Sequence, residues 1–116
     1  MAVRSKFLSN SAEIFDLKYA AISAGTCGNN TAVAAVTGRK IRVMQVFLLA
    51  AGAVDVRFED GAGGTALTGV MSLAANGGFV MPFSPIGWFE TTAATLLNIE
   101  LGGAVQVSGC IAYAEV

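Results

Sequence analysis

Short apolar segments separated by glycine-rich turns constrain the fold of this 116-residue chain more than any other feature. No segment keeps the 3.6-residue period of an amphipathic helix, whereas several alternate between apolar and polar residues as half-buried strands do. The chain therefore predicts about eight short strands, spaced roughly a dozen residues apart. The best strand candidates are residues 14–19, 40–50, 54–59, 79–83, 96–101 and 104–113, with shorter ones at 31–36, 65–67 and 70–73.

The alternation also assigns faces to the strands. In residues 54–59 the apolar side chains face inward and the three charged ones, Asp55, Arg57 and Glu59, face outward. In residues 14–19 the apolar face of a half-buried strand contains Phe15, Leu17 and Tyr19. In residues 40–50 one face contains Ile41, Val43, Phe47 and Leu49. In the final strand one face contains Val105, Val107, Ile111 and Tyr113.

The length of the chain predicts one domain, and the strand spacing predicts its architecture. We expect an all-β, single-domain antiparallel β-sandwich over residues 13–116, jelly-roll-like in its strand order. The Asn76-Gly77-Gly78 segment predicts a hairpin turn between Leu73 and Phe79. Residues 91–97 form at most a turn.

Residues 1–12 differ from the rest because they are polar and keep neither strand nor helix period. Phe7 and Leu8 are isolated apolar residues in this segment. One interpretation is a frayed terminus. The other is an extended N-terminal arm that becomes ordered against a neighbouring subunit, with Phe7 and Leu8 filling a groove.

The composition excludes most enzymes. The chain has no histidine, so the commonest general base and the commonest metal ligand are both absent. Cys27 and Cys110 have no imidazole to activate them, and we expect free thiols, although the sequence leaves their pairing open. The glycine-rich segment 61–64 lacks the lysine and helix of a phosphate loop, and the acids beside it lack the spacing of a calcium loop. We therefore expect no catalytic activity, no cofactor and no metal.

The charge balance and the length of the apolar segments argue against nucleic acid and membranes as partners. Seven basic and eight acidic residues give a formal charge of −1, which provides no attraction to nucleic acid or to an anionic membrane. The most apolar segment, residues 43–54, is too short to span a bilayer. No secretory leader is visible, so we expect cytoplasmic synthesis. Charged residues make up only 13% of the chain and the mean hydropathy is +0.64, which indicates that other chains cover part of the surface.

Two local clusters are candidates for such contacts. Arg39, Lys40 and Arg42 form the one dense basic cluster, which is either a solvated rim or a contact with an acidic partner surface. Residues 82–89 combine two prolines with Trp88 and Phe89, so they form a hydrophobic loop rather than a central strand. Such a loop either plugs its own sandwich or anchors an interface.

Four segments, residues 38–43, 56–61, 64–69 and 82–89, resemble small structural proteins of tailed bacteriophages, in particular the decoration, or cement, proteins of capsids. The resemblance covers about residues 14–116 and implies a β-sandwich that trimerises or dimerises and bridges neighbouring capsomers. It implies a homo-oligomer, with a trimer favoured and a dimer possible, and a major capsid protein or other virion protein as partner. It also implies a location on the virion, with the head surface favoured, after synthesis in the host cytoplasm. The family has no catalytic residues to transfer.

The sequence thus predicts a structural virion protein that binds the assembled head shell and stabilises it through subunit contacts. The alternative is a phage tail or fibre domain that binds a host receptor or another tail protein, for which Trp88, Tyr19 and Tyr113 are the aromatic candidates. The predicted contact residues for the first function are Phe7, Leu8, Arg39, Lys40, Arg42, Trp88 and Phe89.

Overall fold

Antiparallel strands form all the regular structure in the described part of the chain. A computed structural model describes residues 6–8 and 14–116, and these residues form eleven strands and no helix. The all-β prediction is confirmed. The strands are β1 (Lys6–Leu8), β2 (Ile14–Ala24), β3 (Gly28–Val33), β4 (Ile41–Ala50), β5 (Val54–Asp60), β6 (Thr65–Ala66), β7 (Met71–Leu73), β8 (Gly78–Met81), β9 (Phe89–Glu90), β10 (Leu97–Leu101) and β11 (Val107–Glu115).

The strands are divided between two sheets that pack face to face. Sheet 1 has the order β1-β2-β11-β4-β8, and β9 also pairs with β4. Sheet 2 has the order β3-β10-β5-β6, and β7 also pairs with β5. Both inner faces contribute to one hydrophobic core, as in a β-sandwich. Sheet 1 contributes, among others, Ile22, Val46, Leu48, Val107 and Ile111, and sheet 2 contributes Val56, Phe58, Leu97, Ile99 and Leu101.

A β-bulge in β4 decides which side chains reach the core. Ala112 of β11 lies opposite Gln45, but Tyr113 lies opposite Val43, so Met44 is the extra residue. Because the bulge reverses the alternation, Val43 and Val46 both face inward. The predicted single face of Ile41, Val43, Phe47 and Leu49 is therefore wrong beyond Val43, and Phe47 and Leu49 lie on the outer face.

The first long strand also differs from the prediction. β2 continues to Ala24, and its inward side chains beyond Lys18 are Ala20, Ile22 and Ala24. Tyr19 points outward and is 68% exposed, so it does not belong to the buried face.

The turn at Asn76 joins the two sheets. Asn76 has a positive φ of 60°, and the amide of Gly77 donates to the carbonyl of Ala74 at 2.9 Å, so a tight turn forms where one was predicted. The strands on its two sides do not pair with each other, however. β7 pairs with β5 in sheet 2 and β8 pairs with β4 in sheet 1, so the predicted hairpin is wrong.

The predicted arm, residues 1–12, falls mostly outside the described residues. Within it, β1 pairs with β2, and Phe7 lies opposite Phe15. β11 pairs with β2 only between Leu17 and Ala24, so the part of β2 that carries β1 extends past β11. The contact of Phe7 and Leu8 with a neighbouring subunit stays a prediction.

Candidate protein-interaction surface

The outer faces of the two sheets have opposite chemistry. The outer face of sheet 2 is polar and carries Asp55, Arg57, Glu59, Asn98 and Glu100. The outer face of sheet 1 is apolar along much of its length. We refer to this surface as the apolar face. It consists of Tyr19, Ala21, Phe47, Leu49, Val80, Cys110 and Ala112.

Strand register places these side chains in rows across sheet 1. The middle row runs from Ala21 through Cys110 and Phe47 to Val80. The row on one side contains Ser23, Ser108, Leu49 and Gly78, and the row on the other contains Tyr19, Ala112 and Gln45. None of these described positions is charged. The apolar face is therefore a neutral surface in the middle of a sheet.

Large side chains on this surface remain in water. Tyr19 is 68% exposed, Phe47 47%, Leu49 55% and Val80 69%. On β11 between them, the outward residues are Ser108, Cys110 and Ala112, which are all small. The surface therefore has a shallow trough along β11, about 10 Å wide because it spans two strand spacings, with Tyr19 on one wall and Phe47 on the other.

The hydrophobic loop lies at the β4 edge of the same sheet. β8 and β9 both pair with β4, and residues 82–88 connect them. The amide of Ser84 donates to the carbonyl of Met44 at 2.9 Å, and the indole Nε1 of Trp88 donates to the carbonyl of Pro82 at 2.7 Å. Phe83, Ile86 and Trp88 nevertheless stay 44%, 61% and 48% exposed. These three side chains therefore do not plug the sandwich, and the interpretation of the loop as an anchor stays a prediction.

Trp88 and Phe89 have opposite orientations. The ring of Phe89 packs against the core, with its centroid 5.2 Å from that of Phe58. Phe89 is therefore a half-buried core residue, although the sequence placed it among the contact residues. Of this pair, the structure leaves only Trp88 exposed for a contact.

The predicted basic cluster lies at the end of sheet 1 beside this loop. Glu90 pairs with two of the three cations of this cluster. Arg42 Nε donates to Glu90 Oε1 at 2.9 Å, and Lys40 Nζ lies 3.5 Å from Glu90 Oε2. Arg39 is exposed in the preceding turn. Lys18 and Glu115 form a further ion pair at 2.9 Å, and the carboxylate raises the pKa of Lys18 above its usual 10.5.

Gly87 allows the loop to return to β4. Its φ is +84°, and a Cβ there would lie 2.6 Å from Cγ of Arg42. We expect Gly87→Ala to lower the free energy of unfolding by about 1–2 kcal/mol, because a left-handed alanine is strained and the methyl group displaces Arg42. Chemical unfolding measures the loss, and the emission of Trp88, the sole tryptophan, reports displacement of the loop.

Gly69→Ala is the matched control for this substitution. A Cβ at Gly69 meets no atom within 4 Å. We expect its stability to be unchanged or raised by up to about 1 kcal/mol. Equal stability of the two variants would contradict the described path of the loop.

A buried polar network lies on the opposite side of the molecule. Glu59 is 0% exposed, and its carboxylate accepts hydrogen bonds from Arg57 Nε at 2.6 Å and from Asn98 Nδ2 at 2.8 Å. Asn98 also donates to Asn29 Oδ1, which accepts the amide of Gly63 as well, both at 3.0 Å. The network holds the turn after β5 against sheet 2, so Glu59 faces outward from the core as predicted but is nevertheless buried.

Two shallow cavities lie on the side of sheet 2. The larger has a volume of about 350 Å³ and the smaller about 230 Å³, and Asp55 and Gly102 contribute to the lining of each. No aromatic side chain lines either of them. In the described part of the chain, no three residues among His, Cys, Asp and Glu lie close enough to hold a metal.

Cys27 is exposed and Cys110 is half-buried, and both are free thiols. The described residues include no helix with the length and apolar character needed to cross a membrane.

No protein-family model and no curated protein matches the chain. The functional assignment therefore depends on the chemistry of the apolar face and on the resemblance of the sequence segments.

Proposed function

We propose that this protein is a structural subunit of a tailed-bacteriophage virion, a capsid decoration protein that binds the assembled head shell. The observation that carries the proposal is the apolar face, because a neutral surface with four large exposed side chains is unfavourable in water and favourable at a protein contact. The phage assignment comes from the resemblance of segments 38–43, 56–61, 64–69 and 82–89.

The proposed mechanism is mass action. A subunit that binds only the assembled, expanded shell stabilises that state by its binding free energy. Many copies at capsomer junctions multiply the effect, and a homo-oligomer, a trimer or a dimer, adds avidity. In this proposal the apolar face makes contacts between subunits. The shell contacts belong to Phe7, Leu8, Arg39, Lys40, Arg42 and Trp88.

A jelly-roll connectivity is part of the proposal. With β1 set aside as the arm, and with β6 and β7 counted as one strand and β8 and β9 as another, eight strands remain. Sheet 1 then has the order 1-8-3-6 and sheet 2 the order 2-7-4-5. Two four-stranded sheets with these crossings support a jelly roll, an architecture that viral capsid domains use.

The alternative is a tail or fibre domain that binds a host receptor. Such a site needs exposed aromatic and polar groups in one concavity. Tyr113 packs against the core, and the two cavities on sheet 2 have no aromatic lining. These observations favour the head location, and they favour a role without catalysis, since the buried carboxylate of Glu59 is occupied by Arg57 and Asn98.

Electron microscopy of labelled virions tests the proposal. We expect a gold-labelled copy of the full chain to decorate the heads of the phage that encodes it, in many copies per particle. Trp88→Ala should reduce the number of bound copies, whereas Val70→Ala, an exposed position on the other side of the molecule, should not. Label at the tail tip would favour the alternative, and particles without any label would contradict both.

A further inference from the structure

We infer that the apolar face binds a second copy of itself, sheet 1 against sheet 1, across a two-fold axis. The inference rests on the proposed function, in which this face makes contacts between subunits. It adds the identity of the partner and the symmetry of the contact.

The distribution of exposed apolar side chains identifies one contact surface. Eight large apolar side chains of the described residues are exposed, and seven of them lie on the apolar face or in the loop 82–88. Val70 is the exception, on the side of sheet 2. Tyr19 and Phe47 alone expose on the order of 200 Å², since a whole aromatic side chain offers 150–250 Å².

The size of this surface suits one partner. Four strands about 4.8 Å apart and five residues about 3.4 Å long give roughly 300 Å² of flat sheet, before side-chain relief and the loop are added. A standard interface covers about 800 Å² on each partner. The flat sheet alone is less than half of that area, so side-chain relief and the loop 82–88 must supply the rest, and the surface is too small to be shared by two partners.

The absence of charge favours an identical partner. The three rows of described residues across the apolar face contain no acid and no base. Two copies can therefore meet there without placing like charges opposite each other. A charged partner surface would instead lose its hydration without gaining an ion pair.

The relief of the face makes it complementary to itself. Phe47 and Leu49 form a ridge on β4, and the small residues of β11 form the neighbouring trough. Ridge and trough are displaced by one strand spacing, about 4.8 Å. Two faces offset by that distance place the ridge of each copy in the trough of the other, at the roughly 10 Å separation of stacked sheets.

The symmetry follows from the use of a single patch. A ring of three subunits joins two different surfaces of each subunit, whereas a two-fold contact joins the same surface of both. Because the apolar face and the adjoining loop 82–88 together carry seven of the eight exposed large apolar side chains described, a single two-fold contact can cover them with one interface.

Sizing chromatography with light scattering, over a series of concentrations, tests the inference. We expect the full chain to be a dimer and Phe47→Asp to be a monomer, with the dissociation constant raised at least 100-fold. Val70→Asp places the same charge at an exposed apolar position outside the face and should stay dimeric. Val80→Lys, in the same row as Phe47, should repeat the loss and decides the result if Phe47→Asp fails to fold.

Thiol labelling gives an independent measurement. Cys110 lies in the trough and should be protected in the dimer, whereas exposed Cys27 should react in both monomer and dimer. In Phe47→Asp both thiols should react. Single-cysteine variants, Cys27→Ser and Cys110→Ser, separate the two signals.

Three results would overturn the inference: a monomer at every concentration, a trimer, or a dimer that survives both Phe47→Asp and Val80→Lys. The fate of the proposed function is measured separately on virions. A dimer that never appears on particles would contradict only the proposed function. A monomer that binds to heads would contradict only the inferred two-fold contact.

Discussion

Phe58→Ala is expected to lower the free energy of unfolding by about 4 kcal/mol, the largest loss that we predict for a single substitution. Phe58 is 0% exposed and belongs to the core that both sheets share. Its ring also lies against that of Phe89 at 5.2 Å, so the truncation leaves a cavity with a second unsupported aromatic side chain. Urea unfolding followed by circular dichroism measures the loss.

Val70→Ala is the control for the truncation itself. Val70 is 59% exposed on the side of sheet 2, so its truncation should change stability by less than about 0.5 kcal/mol. A loss near 1 kcal/mol for Phe58→Ala would mean that Phe58 is not enclosed, and it would contradict the face-to-face packing of the sheets.

Glu59→Gln is expected to lower the free energy of unfolding by about 2 kcal/mol. The Glu59 carboxylate accepts from Arg57 on one oxygen and from Asn98 on the other. A glutamine keeps the shape but replaces one acceptor with an NH₂ donor, so either Arg57 or Asn98 faces a donor instead of an acceptor. Asn98 is fully buried and has no water to replace a lost acceptor, whereas the side chain of Arg57 is 38% exposed and is partly hydrated.

Glu100→Gln is the matched control, since Glu100 lies on the neighbouring strand of the same outer face. Its carboxylate has no hydrogen bond or ion pair within residues 14–116 and is half-buried. We expect a change below about 0.5 kcal/mol in the same urea experiment. Equal losses for the two variants would contradict the network and would indicate a general effect of charge on this sheet.

Sequence alternation predicted β5 well because both of its ends are turns and every position alternates. The predicted strand 54–59 corresponds to Val54–Asp60, and its three apolar residues are buried as expected. The burial of Glu59 was not predictable from the strand. It depends on the turn after β5 reaching Asn29, which is distant in sequence.

The outer face of sheet 1 was missed because of the bulge in β4. Strict alternation places Gln45 on the same face as Val43, inside the core, and a polar residue in that position was the available signal of a register change. β1 and β9 were missed because they lie in segments that were interpreted as an arm and as a loop. The exposure of Tyr19, Phe47, Leu49 and Val80 therefore came only from the structure.

Part of the candidate site was predictable from residue type. Two prolines and a glycine excluded a regular strand at residues 82–88, and the loop is indeed irregular and keeps Trp88 at the surface. The orientation of Phe89 was not predictable, because it depends on β9 pairing with β4 and directing that ring towards Phe58.

The chemical contrast between the two sheets gives the subunit a fixed orientation in any assembly built on sheet 1. In such an assembly the apolar side would be enclosed, and the connections of sheet 2 would lie outside the contact. Gly69 lies in one of these connections, between β6 and β7, and a Cβ added there meets no atom within 4 Å. A foreign peptide inserted there would lie away from the apolar face and leave that contact surface unobstructed.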